Sequence, residues 1–196
     1  ISTGDLTAAG LHAASADAAD EMLSLVLTDG QPMIGAATIE MAGTINMSAT
    51  AEQWKPFTSH QRVVTSVGGS RPGSFGMPRC TCFGVPARVQ DSYIAGQGQL
   101  MAKLLGLFTV ADARGGGELA RGEFMRWFAE AAWYPTALLP SQGVRRQAVD
   151  DASANATIVD GPITLTLLFR FDNAGLITSV RADSRAAGVG KDSVML

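Results

Sequence analysis

The chain has 196 residues, 46% of them hydrophobic and 17% charged, with a net charge of −3. This composition excludes a disordered chain, and the lack of a Lys- or Arg-rich run argues against nucleic acid or an anionic membrane as the main partner. No apolar run approaches the roughly 20 residues that span a bilayer, so the sequence predicts no transmembrane helix.

A helix is the first predicted element, at residues 5–27, because apolar residues recur there at helical spacing and Asp29-Gly30 follows as a stop signal. The chain begins with Ile1 rather than Met and shows no signal peptide. We therefore expect that the natural N-terminus lies further upstream, which leaves room for a removed signal or anchor.

Two strands are predicted next. Residues 36–47 alternate apolar and polar side chains with a period of two, the pattern of a strand with one buried face. Residues 52–61 are interpreted as a connection, and residues 61–67 as the second strand.

Glycine and proline dominate residues 68–86, which predicts a loop containing a short irregular strand around Cys80. Residues 86–94 alternate again and are predicted to form a strand. Residues 99–111 are apolar at nearly every position, so we predict one long strand that is covered on both faces.

The stretch "FMRWFAEAAWYP" lies in a predicted helix at residues 117–134, which Pro135 ends. One helix face collects the side chains expected to pack on the sheet: Ala120, Phe124, Trp127, Phe128 and Ala131. Three large side chains, Met125, Trp133 and Tyr134, fall outside that face. Because Trp and Tyr often line binding surfaces, this surplus points to a binding role, although core packing is the more common use of each such residue taken singly.

Four C-terminal strands joined by turn-forming sequences are predicted at residues 144–149, 154–159, 163–171 and 176–183. The order of elements predicts an α+β fold with a curved, mainly antiparallel sheet, similar to a half-barrel, a long helix on one face and the N-terminal helix. We predict a single domain over residues 1–196, with the first strands at 36–111 and a four-stranded antiparallel meander at 144–183.

Carboxylates are the main candidates for chemistry. Asp150, Asp151 and Glu130 suit acid–base catalysis only if at least two of them converge in a pocket. The sequence "DDAS" is more typical of a turn, so no catalytic residue is predicted.

The histidines and cysteines favour no metal or cofactor site. His12 and His60 lie far apart, and neither belongs to a nucleophile motif. Cys80 and Cys82 make one pair of ligands where a zinc site needs four. We therefore predict no metal and no cofactor.

Several stretches together resemble a bacterial family of unknown function. They include the W-x-P-F motif at Trp54–Phe57, "AEAAWYPTALLP" at residues 129–140, and residues 144–182. The resemblance covers most of residues 30–190 and implies an α+β domain. By a looser analogy with periplasmic lipoprotein carriers, it implies a half-barrel sheet that cups a helix around an apolar cavity. Some members look membrane-anchored, which favours a periplasmic or membrane-associated location.

Three functions are predicted, in order of preference. The first is a non-catalytic binding or carrier protein with an apolar cavity between sheet and helix, which takes a lipid-like ligand. The second is an accessory subunit of a larger envelope-associated assembly, because a low charge content is typical of interfaces. The third is a hydrolase-type enzyme that uses carboxylates. The candidate ligand-binding residues are Trp127, Met125, Trp133, Tyr134, Phe108 and Phe169.

Overall fold

A computed structural model describes residues 35–46, 52–65, 72–82, 85–183, 186–187 and 194–195. The helix predicted at residues 5–27 lies outside the described residues. Most of the described chain forms two compact units, one of residues 36–64 with 72–127 and the other of residues 128–183. The boundary falls inside the central helix, between Trp127 and Phe128. The prediction of a single domain stays a prediction.

The unit of residues 36–127 is built on a seven-stranded antiparallel sheet. Its order is β1-β2-β3-β5-β6-β7, and β4 pairs with β2 and β5. The strands are β1 (Ala36–Asn46), β2 (Trp54–Val64), β3 (Gly73–Gly76), β4 (Arg79–Cys82), β5 (Val85–Ile94), β6 (Gln97–Leu104) and β7 (Phe108–Gly115).

Strand β2 corrects one sequence prediction. It begins at Trp54, inside the stretch interpreted as a connection, and pairs along its whole length with β1. Pro56 made a strand look unfavourable there, since proline cannot donate to a neighbouring strand. In the described residues, however, that part of β2 pairs only with β1, because β4 joins it at Phe57–Thr58 and β3 at residues 61–64. The short strand predicted around Cys80 is confirmed as β4.

Residues 99–111 form a hairpin rather than one long strand. The chain reverses at Leu105 and Gly106, which have φ angles of 53° and 72°. Leu107 donates its backbone N–H to the carbonyl oxygen of Leu104 at 3.0 Å, which closes a two-residue turn of type I′. The prediction was wrong because an apolar Leu stands at a position where Asn, Asp or Gly usually marks such a turn.

The predicted central helix is confirmed. The α-helix α1 spans Gly117–Ala129, and its first residue, Gly117, has a positive φ, as does Gly115 just before it. Short 3₁₀ segments at Glu130–Trp133, Pro135–Leu138 and Pro140–Gln142 follow it. Within the unit of residues 36–127, α1 lies against the sheet so closely that a Cβ on Gly98 would meet the backbone nitrogen of Ala120 at 2.8 Å.

The unit of residues 128–183 holds a second antiparallel sheet, in the order β11-β10-β9-β8. Side chains of β10 alternate between buried and mainly exposed positions, so one face forms the core of this unit. Its strands confirm the predicted four-stranded meander: β8 (Arg145–Asp150), β9 (Ser153–Asp160), β10 (Ile163–Phe171) and β11 (Ile177–Arg181). A short pair, β12 (Ala186–Ala187) with β13 (Val194–Met195), follows.

These elements confirm the α+β class and the mainly antiparallel strands. The strands form separate hydrogen-bonded sheets, and neither large sheet closes on itself. Within the part of the chain that the structure describes, no helix is long and apolar enough to cross a membrane.

Candidate functional site

The helical stripe predicted as core is confirmed. Phe124, Trp127 and Phe128 are fully buried, as are the two alanines of the same face. The Phe124 ring stacks on Tyr93 of β5, with 4.6 Å between ring centroids. Trp127 donates its indole N–H to the Val64 carbonyl oxygen at 3.2 Å, so its polar atom is satisfied inside this unit.

The three side chains outside that stripe separate into two kinds. Met125 and Tyr134 are buried, whereas Trp133 is 44% exposed. Of the other two predicted ligand-binding residues, Phe169 is buried edge-on against Phe128, and Phe108 is exposed at the start of β7. The structure therefore does not bring the six residues together at one surface, and their role in binding stays a prediction.

A buried ion pair joins α1 to the sheet. Arg126 donates to the carboxylate of Asp91 on β5 and to the side-chain oxygen of Gln61 on β2, the latter at 3.0 Å. Asp91 and Gln61 are buried, and a Cβ on Gly76 would clash with this cluster. Sequence reasoning missed the cluster because the partners of Arg126 lie 35 and 65 residues away along the chain.

A groove of about 520 Å³ lies at the other end of the same sheet. Residues of β2, β4, β5 and the β6–β7 turn line it, and its surface is mainly apolar. The lining residues are Pro56, Phe57, Thr58, Arg79, Pro86, Ala87, Arg88, Leu105 and Gly106.

Three cations stand side by side next to this groove. Arg79 on β4 pairs in register with Arg88 on β5, which pairs in turn with Lys103 on β6. We call these three residues the cation row. Since neighbouring strands lie about 4.8 Å apart, the row extends about 10 Å across the sheet. Like charges directly opposite each other are unfavourable, and none of the three makes an ion pair with a described residue.

The charges of this sheet differ in sign from those of the whole chain. Its seven strands carry six Lys or Arg and three Asp or Glu residues, although the chain has a net charge of −3. Each carboxylate already has a basic partner. Glu40 lies 3.6 Å from His60, Asp112 lies 3.5 Å from Arg114, and Asp91 pairs with Arg126. The positive charge of the cation row is therefore not neutralised by the acidic side chains of these strands.

Beside the cation row, the β6–β7 hairpin exposes four large apolar side chains. We call them the hairpin tip: Leu105, Leu107, Phe108 and Val110, which are 54%, 77%, 63% and 57% exposed. Exposed apolar side chains that occur together, rather than singly, are typical of surfaces that contact a partner.

A model of a family of unknown function, DUF6920, matches residues 19–196. The chain belongs to this family. No curated protein and no solved structure matches it.

Membership of DUF6920 assigns no catalytic residue, so the positions of the candidate carboxylates decide whether they could act together. Asp150 accepts the backbone N–H of Ala152 at 3.0 Å in the β8–β9 turn, which confirms the turn interpretation. The nearby Ser153 hydroxyl and that N–H lower the pKa of the Asp150 carboxyl. A general acid needs a raised pKa instead.

Asp151 lies in the same turn, and the remaining carboxylate of β8 and β9 lies far from it. Asp160 ends β9 at the opposite end from Asp150, about 23 Å away at the usual rise per strand residue. The described residues also contain no group of three His, Cys, Asp or Glu side chains arranged to hold a metal ion.

Proposed function

We propose that the protein is a non-catalytic binding or carrier protein for a lipid-like ligand, and that the ligand lies in the groove of the seven-stranded sheet. This position differs from the predicted cavity between sheet and helix. Where Gly98 contacts the backbone of Ala120, the sheet and helix leave no space for a ligand. The groove at the opposite end is open and bounded by apolar side chains.

The size and lining of the groove carry this proposal. Its volume of about 520 Å³ falls within the roughly 300–1,000 Å³ of small-molecule sites. Phe57, Ala87 and Leu105 supply apolar walls, while Thr58 and two guanidinium groups supply the few polar contacts that orient a ligand. An acyl chain with a polar end matches this division.

The apolar face of the sheet supports the same function. On the face that packs against α1, residues close to the helix, such as Tyr93 and Val63, are fully buried. Further along that face, Val89 on β5 and Leu100 and Leu104 on β6 remain partly exposed. A carrier with such a surface suits a periplasmic or membrane-associated location in a bacterium.

Calorimetric titration with dodecanoate tests this function. Thr58 is exposed and lines the groove, so Thr58→Trp fills the groove without disturbing the core. We expect this variant to lose at least tenfold in dodecanoate affinity. Thr38→Trp is the matched control, because Thr38 is exposed on β1 and does not line the groove. Unchanged affinity in Thr58→Trp, or no binding by the parent chain, would exclude the groove as the ligand site.

A second candidate function is that of an accessory subunit in an envelope-associated assembly. Trp54, which is 60% exposed at the start of β2, favours it, because exposed tryptophans are common at the centre of interfaces. In size-exclusion chromatography of a membrane extract from the native cell, the parent should then elute with a larger assembly. Trp54→Ser should elute as the free chain, with dodecanoate binding unchanged. Identical elution of variant and parent would argue against it.

A further inference from the structure

The β6–β7 turn breaks two local rules at one residue. Leu105 has a φ of 53°, a left-handed conformation that is unfavourable for a residue with a bulky side chain. Its side chain is also more than half exposed, so the apolar atoms gain little from folding. Residues that violate local preferences without a gain in stability are typical of functional sites.

The rest of the hairpin tip repeats this pattern. Leu107 and Phe108 flank the turn and are the two most exposed large apolar side chains of the tip. Together with Leu105 and Val110 they project an apolar surface from the end of a two-stranded ribbon. If the hairpin only joined two strands, polar residues would be expected at these exposed positions.

The cation row lies directly behind the tip. Lys103 precedes Leu105 by two residues, about 7 Å along a strand. Arg88 and Arg79 continue the row onto the next two strands. Apolar side chains at the front and unneutralised cations behind them complement a lipid surface, whose acyl region takes the apolar groups and whose anionic head groups face the cations.

From this juxtaposition we propose that the hairpin tip and the cation row dock the protein on an anionic lipid bilayer. The tip inserts into the interfacial region, and Arg79, Arg88 and Lys103 contact the phosphates of the head groups. Two weak attractions acting together give binding that is stable yet reversible. The inference goes beyond the binding of a single ligand. Arg79, Arg88 and Leu105 also line the groove, but docking does not require the groove to be filled.

Sequence composition concealed this surface. Arg79, Arg88 and Lys103 are dispersed over 25 residues of the chain, so they form no basic run. The antiparallel register alone makes them neighbours. The expectation that an anionic membrane is not a main partner rested on the negative net charge and on the lack of a basic run. The strands of this sheet instead carry more basic than acidic residues, and the register places three cations side by side.

Co-sedimentation of the whole chain with vesicles tests the proposal. The parent should bind vesicles of phosphatidylcholine mixed with phosphatidylglycerol, bind phosphatidylcholine alone much more weakly, and lose affinity as salt screens the charges. Each cation at a lipid surface contributes about fivefold in affinity, so replacing all three residues of the row by Gln should weaken binding about a hundredfold. Leu107→Ser with Phe108→Ser should weaken it about tenfold or more.

Matched controls are available in the unit of residues 128–183. Arg145→Gln removes an exposed cation, and Val149→Ser with Val159→Ser removes two apolar side chains that are 52% and 53% exposed. These controls should bind vesicles as the parent does. Thermal unfolding of every variant confirms that the fold is retained, which is expected because the replaced side chains are exposed or only partly buried.

Four outcomes would overturn the proposal. The first is equal binding to neutral and anionic vesicles, and the second is no binding to either. The third is competition by free glycerol phosphate, which would indicate a site for a soluble anion rather than docking on a bilayer. The fourth is self-association of the parent chain in place of vesicle binding, if Leu107→Ser with Phe108→Ser abolishes it. That result would assign the tip to a protein interface.

Discussion

The seven-stranded sheet contains two hairpin turns of the same type at its two ends. Ala95-Gly96 joins β5 to β6 beside the helix, and residues 105–107 join β6 to β7 at the opposite end; Ala95, Gly96, Leu105 and Gly106 all have positive φ. Beside the helix, charges are paired and backbones touch. At the opposite end, like charges stand next to one another and large apolar side chains are exposed. We call these the covered end and the open end.

The difference indicates that the covered end is arranged for stability and the open end for contact with a partner. At the covered end, Arg126 donates to Asp91 and to Gln61, and both of these acceptors are buried. At the open end, the cation row and Leu105 each reduce the stability of the folded chain. A local loss of folding stability is common where residues serve binding instead. Substitutions at the two ends should therefore change stability differently.

The largest effect is expected from Asp91→Ala at the covered end. Removal of this carboxylate takes away the closer of the two acidic partners of the partly buried Arg126, the other being Glu123 at 4.0 Å, and should cost about 3 kcal/mol, the lower end of the range for buried pairs. Urea denaturation measures the loss. Asp112→Ala is the control, since its pair with Arg114 is exposed and worth about 0–1 kcal/mol. Equal losses for the two variants would contradict the distinction between buried and exposed pairs.

Gly98→Ala should give the next largest effect. The added Cβ would lie 2.8–2.9 Å from backbone atoms of Leu119 and Ala120, so sheet and helix must separate at a cost of about 1–3 kcal/mol. Gly122→Ala in the same helix meets nothing within 4 Å and should stabilise the chain by about 0.5–1 kcal/mol. Melting temperatures that shift in the same direction for both variants would show that the contact at Gly98 is not tight.

Sequence alone predicted the sheet of residues 145–181 well and the open end poorly. Along β10, apolar residues alternate with polar ones because one face is buried, and that alternation identifies a strand without further information. Turns with Asp or Gly bound each strand. In residues 99–111 the alternation is absent, because β7 carries apolar residues at exposed positions, and Gly106 is a weak turn signal because Leu105 stands before it.

The candidate sites were less predictable for a different reason. The helix sequence indicated the buried stripe of Phe124, Trp127 and Phe128, since helical spacing is a local property. The cation row and the Arg126–Asp91 pair depend on strand register and on packing across the sheet, which bring distant residues together. Composition averages over such local surfaces, so a chain with net negative charge can contain a positive sheet.

At the open end, Leu105→Asn should stabilise the fold while impairing its proposed role. Asn tolerates a positive φ, and Asn-Gly is the favoured pair in a type I′ turn, so we expect a gain of about 1 kcal/mol. Ala95→Asn places the same pair in the turn at the covered end and should stabilise the chain to a similar extent. Only Leu105→Asn should weaken binding to anionic vesicles. A loss of stability in Leu105→Asn would show that the Leu105 side chain is packed rather than exposed.

The smallest change in stability is expected from Arg88→Gln, and its sign should be opposite to that of Asp91→Ala. This substitution removes the middle charge of the cation row and the repulsion from both neighbours, so stability should rise by about 0.2–0.5 kcal/mol at low salt. The gain should vanish at high salt, where exposed charges are screened. Arg145→Gln, on an exposed position of β8 opposite Thr157, should change nothing under either condition. Loss of a charge would then stabilise the open end in Arg88→Gln and destabilise the covered end in Asp91→Ala. A decrease in stability for Arg88→Gln would instead mean that interactions within the fold hold the row together, so that it is not available to a lipid surface.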